Sequence, residues 1–461
     1  MPPGGSIAAP RPMTFWKFTT FAAALHASLL VNGFSAETPG VSPVSYRKEI
    51  APILQRRCAA CHGEESAKGG YRLDSFARMG KPGDSDLAPL VAGKPADSEL
   101  HQLLLEKAPD DRMPQKADPL PPGEIALIER WIREGAVNDG GAPDRSLAEL
   151  VRDSLLLPAP EKYARPAPVT ALAFSPDGTQ IAASGYYEVT LWDLETGGLV
   201  RRIGGLPERI NSIAWNPKNN LIAVGGGSPS QWGGIFLIDP AADFKIRLLA
   251  DLPDTALAVA FNPDGKLLAA CGGDRSIRLF DTGAGKVIRL FKQHSELIQT
   301  IAFSRDGNRL VSASRDRTAR VFSIHDGEVL AAYDDHEAPV MTAAFSPDGS
   351  TIFSVARGRP VHSWNAGNGK QTAQFINAGR DTQVLLDTAF GLITGSTDGV
   401  VRLSDPRDRR ALMTLFGHHD CVESIALAPN GQLFATGAHD GEVCIWELKC
   451  ETWIRHFITS P

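Results

Sequence analysis

The sequence predicts a multidomain chain in which a small α-helical domain precedes a large all-β propeller of seven blades. Three observations lead there. Within residues 42–137, two stretches with apolar residues at helical spacing flank a glycine-rich interior. From residue 169 onward, short segments of alternating polarity recur about every 42 residues, the mark of a repeat architecture. Between them, residues 138–168 are rich in chain breakers and read as a linker.

Composition sets the outer limits. The 461 residues carry a formal charge of -6, which offers no basic footprint for nucleic acid or for an anionic membrane surface. With 44 Gly and 33 Pro, turns and short strands outweigh long helices. At the start, Lys17 precedes an apolar run from Phe18 to Phe34 that ends at the small residues Ser35 and Ala36. That layout predicts a signal peptide over residues 1–36, cleaved near Ala36, with a retained anchor as the alternative. Downstream, no stretch is long and apolar enough to span a bilayer. The expected location is periplasmic, secreted or at the cell surface.

Within the first domain, Tyr46 to Gln55 suggest a helix interrupted or restarted at Pro52. The next residues read Arg57-Cys58-Ala59-Ala60-Cys61-His62-Gly63. In an exported chain, two thiols three positions apart with a histidine directly after them indicate attachment of a c-type haem. Each thiol can bond one vinyl group, and the adjacent imidazole of His62 then lies under the iron as its proximal ligand. A redox dithiol would not require the histidine, and a zinc half-site would need a second ligand pair that is not found nearby. One covalently attached haem c is therefore expected, held by Cys58, Cys61 and His62. A closing helix begins at Pro121-Pro122-Gly123-Glu124, repeats Ile125, Ile128, Trp131 and Ile132 on one face, and stops at Gly135.

A sixth iron ligand, if present, comes from the stretch between these helices. Met113, followed by Pro114, is the leading candidate, because a thioether favours reduced iron. Met79 and His101 are competitors, and any of the three can instead be a packing residue.

The residues Glu49 to Leu54, the Cys58-to-Gly63 motif, Arg112-Met113-Pro114 and Glu129 to Ala136 together resemble the planctomycete-type cytochrome c domain. The resemblance covers about one fifth of the chain. It implies a class I-like helical cytochrome with one haem and His62 and Met113 as axial ligands. Gln115 stands where that family usually has a second proline.

In the linker, residues 147–157 can form a short helix before Pro158, Pro160, Pro166 and Pro168 extend the chain. The propeller then begins. Turn tripeptides recur as Pro176-Asp177-Gly178, Pro217-Lys218-Asn219, Pro263-Asp264-Gly265, Arg305-Asp306-Gly307, Pro347-Asp348-Gly349 and Pro429-Asn430-Gly431. A degenerate copy, Leu386 to Gly391, fills the one double gap. Strand ends keep the same beat, from Trp192-Asp193 through Trp364-Asn365 to Trp446-Glu447, and give seven units. Four short strands per unit cannot bury both faces alone, so the units stack radially and close. Residues 451–459 can supply the last outer strand, so closure needs little exchange between the first and last blades.

These signatures resemble the WD-repeat β-propeller family over about three fifths of the chain. The last copy is the most complete, with His418, Thr436, Asp440 and Trp446 at the positions where that family places a hydrogen-bonded network. The set invites a hydrolase reading, but its partial recurrence as His294, Ser312 and Asp316 marks it as structural: it satisfies buried polar groups. His325, His362, His419, His439 and His456 have no spacing that argues for metal. Of Cys271, Cys421, Cys444 and Cys450, the three in the last blade permit one disulfide, with buried free thiols as the alternative.

The functional expectation is an exported monohaem c-type cytochrome that transfers electrons, with the propeller as a scaffold for a protein or polymer. Its redox partner is not specified by the sequence. The alternative is a haem-dependent oxidoreductase whose propeller binds a substrate or second cofactor, as in nitrite reductases and quinohaemoprotein dehydrogenases. Those propellers have eight blades and their own ligand sets, whereas this one reads as seven without an evident cofactor motif.

Overall fold

In the computed structural model, residues 42–63, 66–115, 117–375, 381–448 and 453–459 are described. The expected leader and Cys450 lie outside these residues. Ser45 caps a π-helical turn, Tyr46–Ile50, its Oγ accepting the Lys48 N–H at 3.0 Å. The turn runs directly into α1 (Ala51–Arg57), where Pro52 occupies the first turn and its missing N–H costs nothing. Three further helices follow: α2 (Phe76–Met79), α3 (Glu99–Leu105) and α4 (Pro122–Arg133). Gly135, at φ 103°, ends α4 in a backbone conformation that disfavours a side chain.

The apolar face of α4 packs on the π-helical turn that leads into α1. Trp131 stacks on Tyr46 with ring centres 5.4 Å apart, and Phe76 packs edge-on against Tyr46 at 5.2 Å. The Trp131 indole N–H donates to the Val137 carbonyl at 3.0 Å, so this buried polar atom is satisfied. Ile50, Leu54, Ile128 and Ile132 complete the cluster. Each such burial contributes about 1.5–3 kcal/mol.

The region read as linker holds a structural element. α5 (Leu147–Leu155) starts on a capping box, in which Ser146 Oγ accepts the Glu149 N–H and the Glu149 carboxylate accepts the Ser146 N–H. Leu147 and Leu150 belong to the core of the helical region, while Val151 packs among Ile203, Leu206 and Trp232 of the propeller. One amphipathic helix thus serves two cores. Asp251 fixes its far side: one carboxylate oxygen accepts the Trp232 indole N–H at 2.7 Å and the other faces Arg152 at 3.2 Å. Residues from Val44 onward accordingly form one compact unit.

Seven four-stranded antiparallel sheets make the propeller, each built from consecutive strands. The turn chemistry is local. In the first blade Ser175 Oγ donates to Asp177 at 2.6 Å and Gly178 adopts φ 72°. The degenerate beat folds as a tighter hairpin, with Thr388 paired directly to Gly391. All four strands of the last blade, Val422–Leu427, Leu433–Ala438, Glu442–Glu447 and Trp453–Ile458, come from the C-terminal segment, so no strand is exchanged at closure. The seam is instead made by Val169, whose N–H donates to Ala438 at 3.0 Å and whose carbonyl accepts Ser424 Oγ at 2.6 Å. A side chain at Gly437 would place its Cβ 2.4 Å from Val169 Cγ1, so the seam excludes one. A cavity of about 750 Å³ runs between the first strands of the blades.

Among the described residues, no helix is long and apolar enough to cross a membrane.

Candidate haem-binding site

α1 delivers the motif. The Cys58 and Ala59 N–H groups donate to the Leu54 carbonyl, and the Cys61 and His62 N–H groups donate to the Cys58 carbonyl at 3.1 and 3.0 Å. The helix therefore continues into a tight turn that puts both thiols and the imidazole on one side. Gly63 is part of that turn, because a Cβ there would lie 2.6 Å from the Ala59 carbonyl oxygen. Arg57 and Arg56 pair with Glu124 in the first turn of α4, at 3.1 and 3.5 Å, and so fix the end of α1 against the closing helix.

His62 is oriented by a group the sequence reading missed. Its Nδ1 lies 3.3 Å from the Tyr71 carbonyl oxygen, which makes Nδ1 the protonated nitrogen and leaves Nε2 with its lone pair available. Metal-ligating histidines are held this way. The acceptor is a backbone atom, so no side-chain pattern could have announced it. Tyr71 is anchored in turn by its hydroxyl, which donates to the Met79 carbonyl at 3.0 Å.

Cys58, Cys61, His62 and Met113 line one cavity of about 310 Å³. The opposite wall is apolar, from Leu100, Leu103 and Leu104 of α3. The Met113 N–H donates to the Leu103 carbonyl at 3.0 Å, so α3 positions the methionine. The two competitors lie elsewhere. Met79 is fully buried in the helical core and does not line this cavity, and His101 faces a different depression beside Glu106 and Arg133. Burial pushes the Cys58 thiol up to about 12, the opposite of the depressed value that a reactive redox dithiol requires. The donor set, the free Nε2 and the shared cavity fit a haem.

In the propeller, the fourth blade joins its histidine to both polar partners: His294 Nδ1 lies 2.8 Å from Asp316 and Nε2 2.6 Å from Ser312, with Phe322 at the tryptophan position. The last blade departs from it. His418 Nε2 and the Trp446 indole both reach Thr436 Oγ1, at 2.6 and 2.7 Å, but Asp440 accepts the Glu442 N–H instead of bonding His418. The Glu442 carboxylate faces His418 Nδ1 at 3.7 Å. Around that carboxylate the fold also gathers His419 and His456, at 3.3 and 3.1 Å, which their spacing in sequence did not suggest. Cys271, Cys421 and Cys444 are free thiols.

The helical fold and its convergent Cys, His and Met groups define a c-type cytochrome domain, here built onto a seven-bladed propeller. Residues 58–116 match the family Planctomycete cytochrome C, and residues 162–193, 252–281, 285–323, 327–359 and 409–447 match the WD domain, G-beta repeat. The chain thus carries a planctomycete-type cytochrome c domain, which implies haem c, followed by a WD-repeat β-propeller. Curated proteins similar to part of it include a guanine nucleotide-binding protein subunit beta of Zea mays, 34% identical over 70 residues, which are 15% of this chain and 18% of the relative. Ribosome biogenesis protein YTM1 of Scheffersomyces stipitis is 36% identical over 66 residues, 13% of this chain and 14% of that protein. The chain spans less than a fifth of the length of these relatives.

Proposed function

We propose that this protein is an exported monohaem c-type cytochrome that passes single electrons, with its propeller as the docking scaffold for a partner protein. The observation that carries the reading is the convergence of Cys58, Cys61, His62 and Met113 on one cavity, with His62 Nδ1 engaged by Tyr71. Cys58 and Cys61 would hold the haem through their thiols, and His62 Nε2 and Met113 would donate to its iron. When bound, the haem supplies a one-electron couple. The chain's own part is to hold that couple in place: the turn closed by Gly63 sets the thiols, Tyr71 sets the imidazole, and α3 sets Met113 and excludes water with its leucines. Met113 as a donor would favour the reduced state of the iron.

The propeller's contribution is a rigid surface. Its similarity to a G-protein beta subunit and to a ribosome biogenesis protein supports protein docking over catalysis. α5 and the Arg152–Asp251 pair keep the haem region seated on that surface, so a partner bound to the propeller meets the haem domain at a fixed distance. The exported setting rests on the leader, residues 1–36, and on the chemistry of the motif, since thioether formation belongs to a haem-loading compartment.

Export and covalent attachment are tested together by expressing the chain with and without residues 1–36 in a bacterium that matures c-type cytochromes. A haem-staining band at about one haem per chain after denaturing electrophoresis is expected only with the leader present. Equal staining without the leader, or none with it, would contradict the reading.

A further inference from the structure

We propose that His419, Glu442 and His456, with Asp440 beside them, form a zinc-class divalent metal site that ties the outermost strand of the last blade to the rest of the propeller. Three separate segments meet there. His419 lies in the loop entering the blade, Asp440 and Glu442 at and after the turn between its second and third strands, and His456 on its outermost strand, Trp453–Ile458. One ligand atom each from His419, Asp440 and Glu442 lie within 4.8 Å of one another. The His456 Nε2 lies 3.1 Å and the His419 Nδ1 3.3 Å from the same Glu442 oxygen. A tetrahedral zinc with bonds of about 2.0–2.2 Å keeps its ligands roughly 3.3–3.6 Å apart, so His419, Asp440 and Glu442 need to close in modestly, and His456, which meets the group through Glu442, turns toward the ion to complete the set. Two neutral imidazoles and two carboxylates balance its charge, and such nitrogen and oxygen donors suit zinc, nickel or copper(II).

The repeats provide an internal control. The polar network of the fourth blade superimposes on that of the last in sequence: His294 on His418, Ser312 on Thr436, Asp316 on Asp440. At the positions of His419, Glu442 and His456 the fourth blade has Ser295, Thr318 and Ala332, the last fixed by its pairing with Arg320 as His456 pairs with Cys444. None of these is a metal ligand of that type. The last blade has exchanged three non-ligands for three ligands around one point, and Glu442 has displaced Asp440 from His418, freeing Asp440 for the ion. His418 remains committed to Thr436 through Nε2 and supports Glu442 from behind. The location gives the site a purpose. It joins the outermost strand of the blade to the turn between the second and third strands, so a metal clip there secures that strand to the rest of the blade.

The test is isothermal titration of zinc into the metal-stripped full chain, with Cys58 and Cys61 occupied by haem or by alkylation, alongside His419→Asn and His456→Asn. His419 is 84% exposed, so its replacement leaves the fold intact. One zinc per chain is expected, with affinity falling roughly tenfold or more in each variant. Zinc should raise the unfolding midpoint of the native chain by at least about 2 °C and, at the same zinc concentration, raise that of His419→Asn by less. Absence of binding, or equal affinity in the native chain and His419→Asn, would overturn the proposal.

Discussion

A chain with both Cys58 and Cys61 replaced by serine is expected to emerge from a haem-loading compartment with no haem that survives denaturation. The two thiols are the proposed attachment points, and the turn after α1 places them beside His62 in one cavity. Either single substitution leaves one thioether, so staining should persist at reduced yield. His62→Ala should behave differently. It preserves both attachment points and removes the proximal donor, so staining survives while the spectrum shifts. Haem staining and the pyridine haemochrome spectrum of the four proteins read this directly. Full staining of the double serine variant would contradict the assigned attachment.

The second large effect is a loss of stability in acid that originates in the fifth blade. His336 is buried, with Nε2 2.8 Å from Ser354, but no carboxylate reaches its Nδ1, which has no hydrogen-bond partner. Where the fourth blade places Asp316, the fifth has Gly358, and the His362 ring stacks on His336 at 4.7 Å. Burial, with His362 adding to it, lowers the His336 pKa from its ordinary 6.5 to about 3. The unfolded chain therefore binds the proton more readily below pH 6.5. Stability is fully present above that pH and declines as the pH falls toward about 3, by about 1.4 kcal/mol per unit and about 3–5 kcal/mol in all. Asp316, also held below its ordinary value despite burial by its bonds to His294 and Thr318, adds to the loss at the acid end. Urea unfolding at pH 7.5, 6, 5 and 4 should show this slope, and His336→Asn, which can still bond Ser354, should flatten it. An identical slope in the variant would place the acid sensitivity elsewhere.

The two predictions differ in how far the sequence alone could reach them. The cytochrome c domain was legible because its motif leaves local spacings, and the seven blades were legible because a repeat is its own confirmation. α5 was seen as a short helix but not as a shared wedge: its two apolar edges serve two cores, which periodicity in one helix cannot distinguish. Tyr71 was missed because its backbone carbonyl, not its ring, holds His62. In the last blade the polar network was read from position alone, and Asp440 was given the place that the longer side chain of Glu442 takes beside His418. The grouping of His419 with His456 depends on strand pairing across a turn, so nothing in their spacing reveals it.

His62 and Met113 are proposed to hold the iron of one haem from its two sides. The most direct measurement is the absorption spectrum of the matured chain, oxidised and reduced, with haem quantified per chain and carbon monoxide added to the reduced form. One c-type haem per chain, a methionine-to-iron charge-transfer band in the oxidised state and a reduced spectrum unmoved by carbon monoxide are predicted. Met113→Ala should lose the band and gain carbon monoxide binding. A native reduced iron that binds carbon monoxide readily, or a second chromophore, would contradict the electron-carrier account and favour an enzyme.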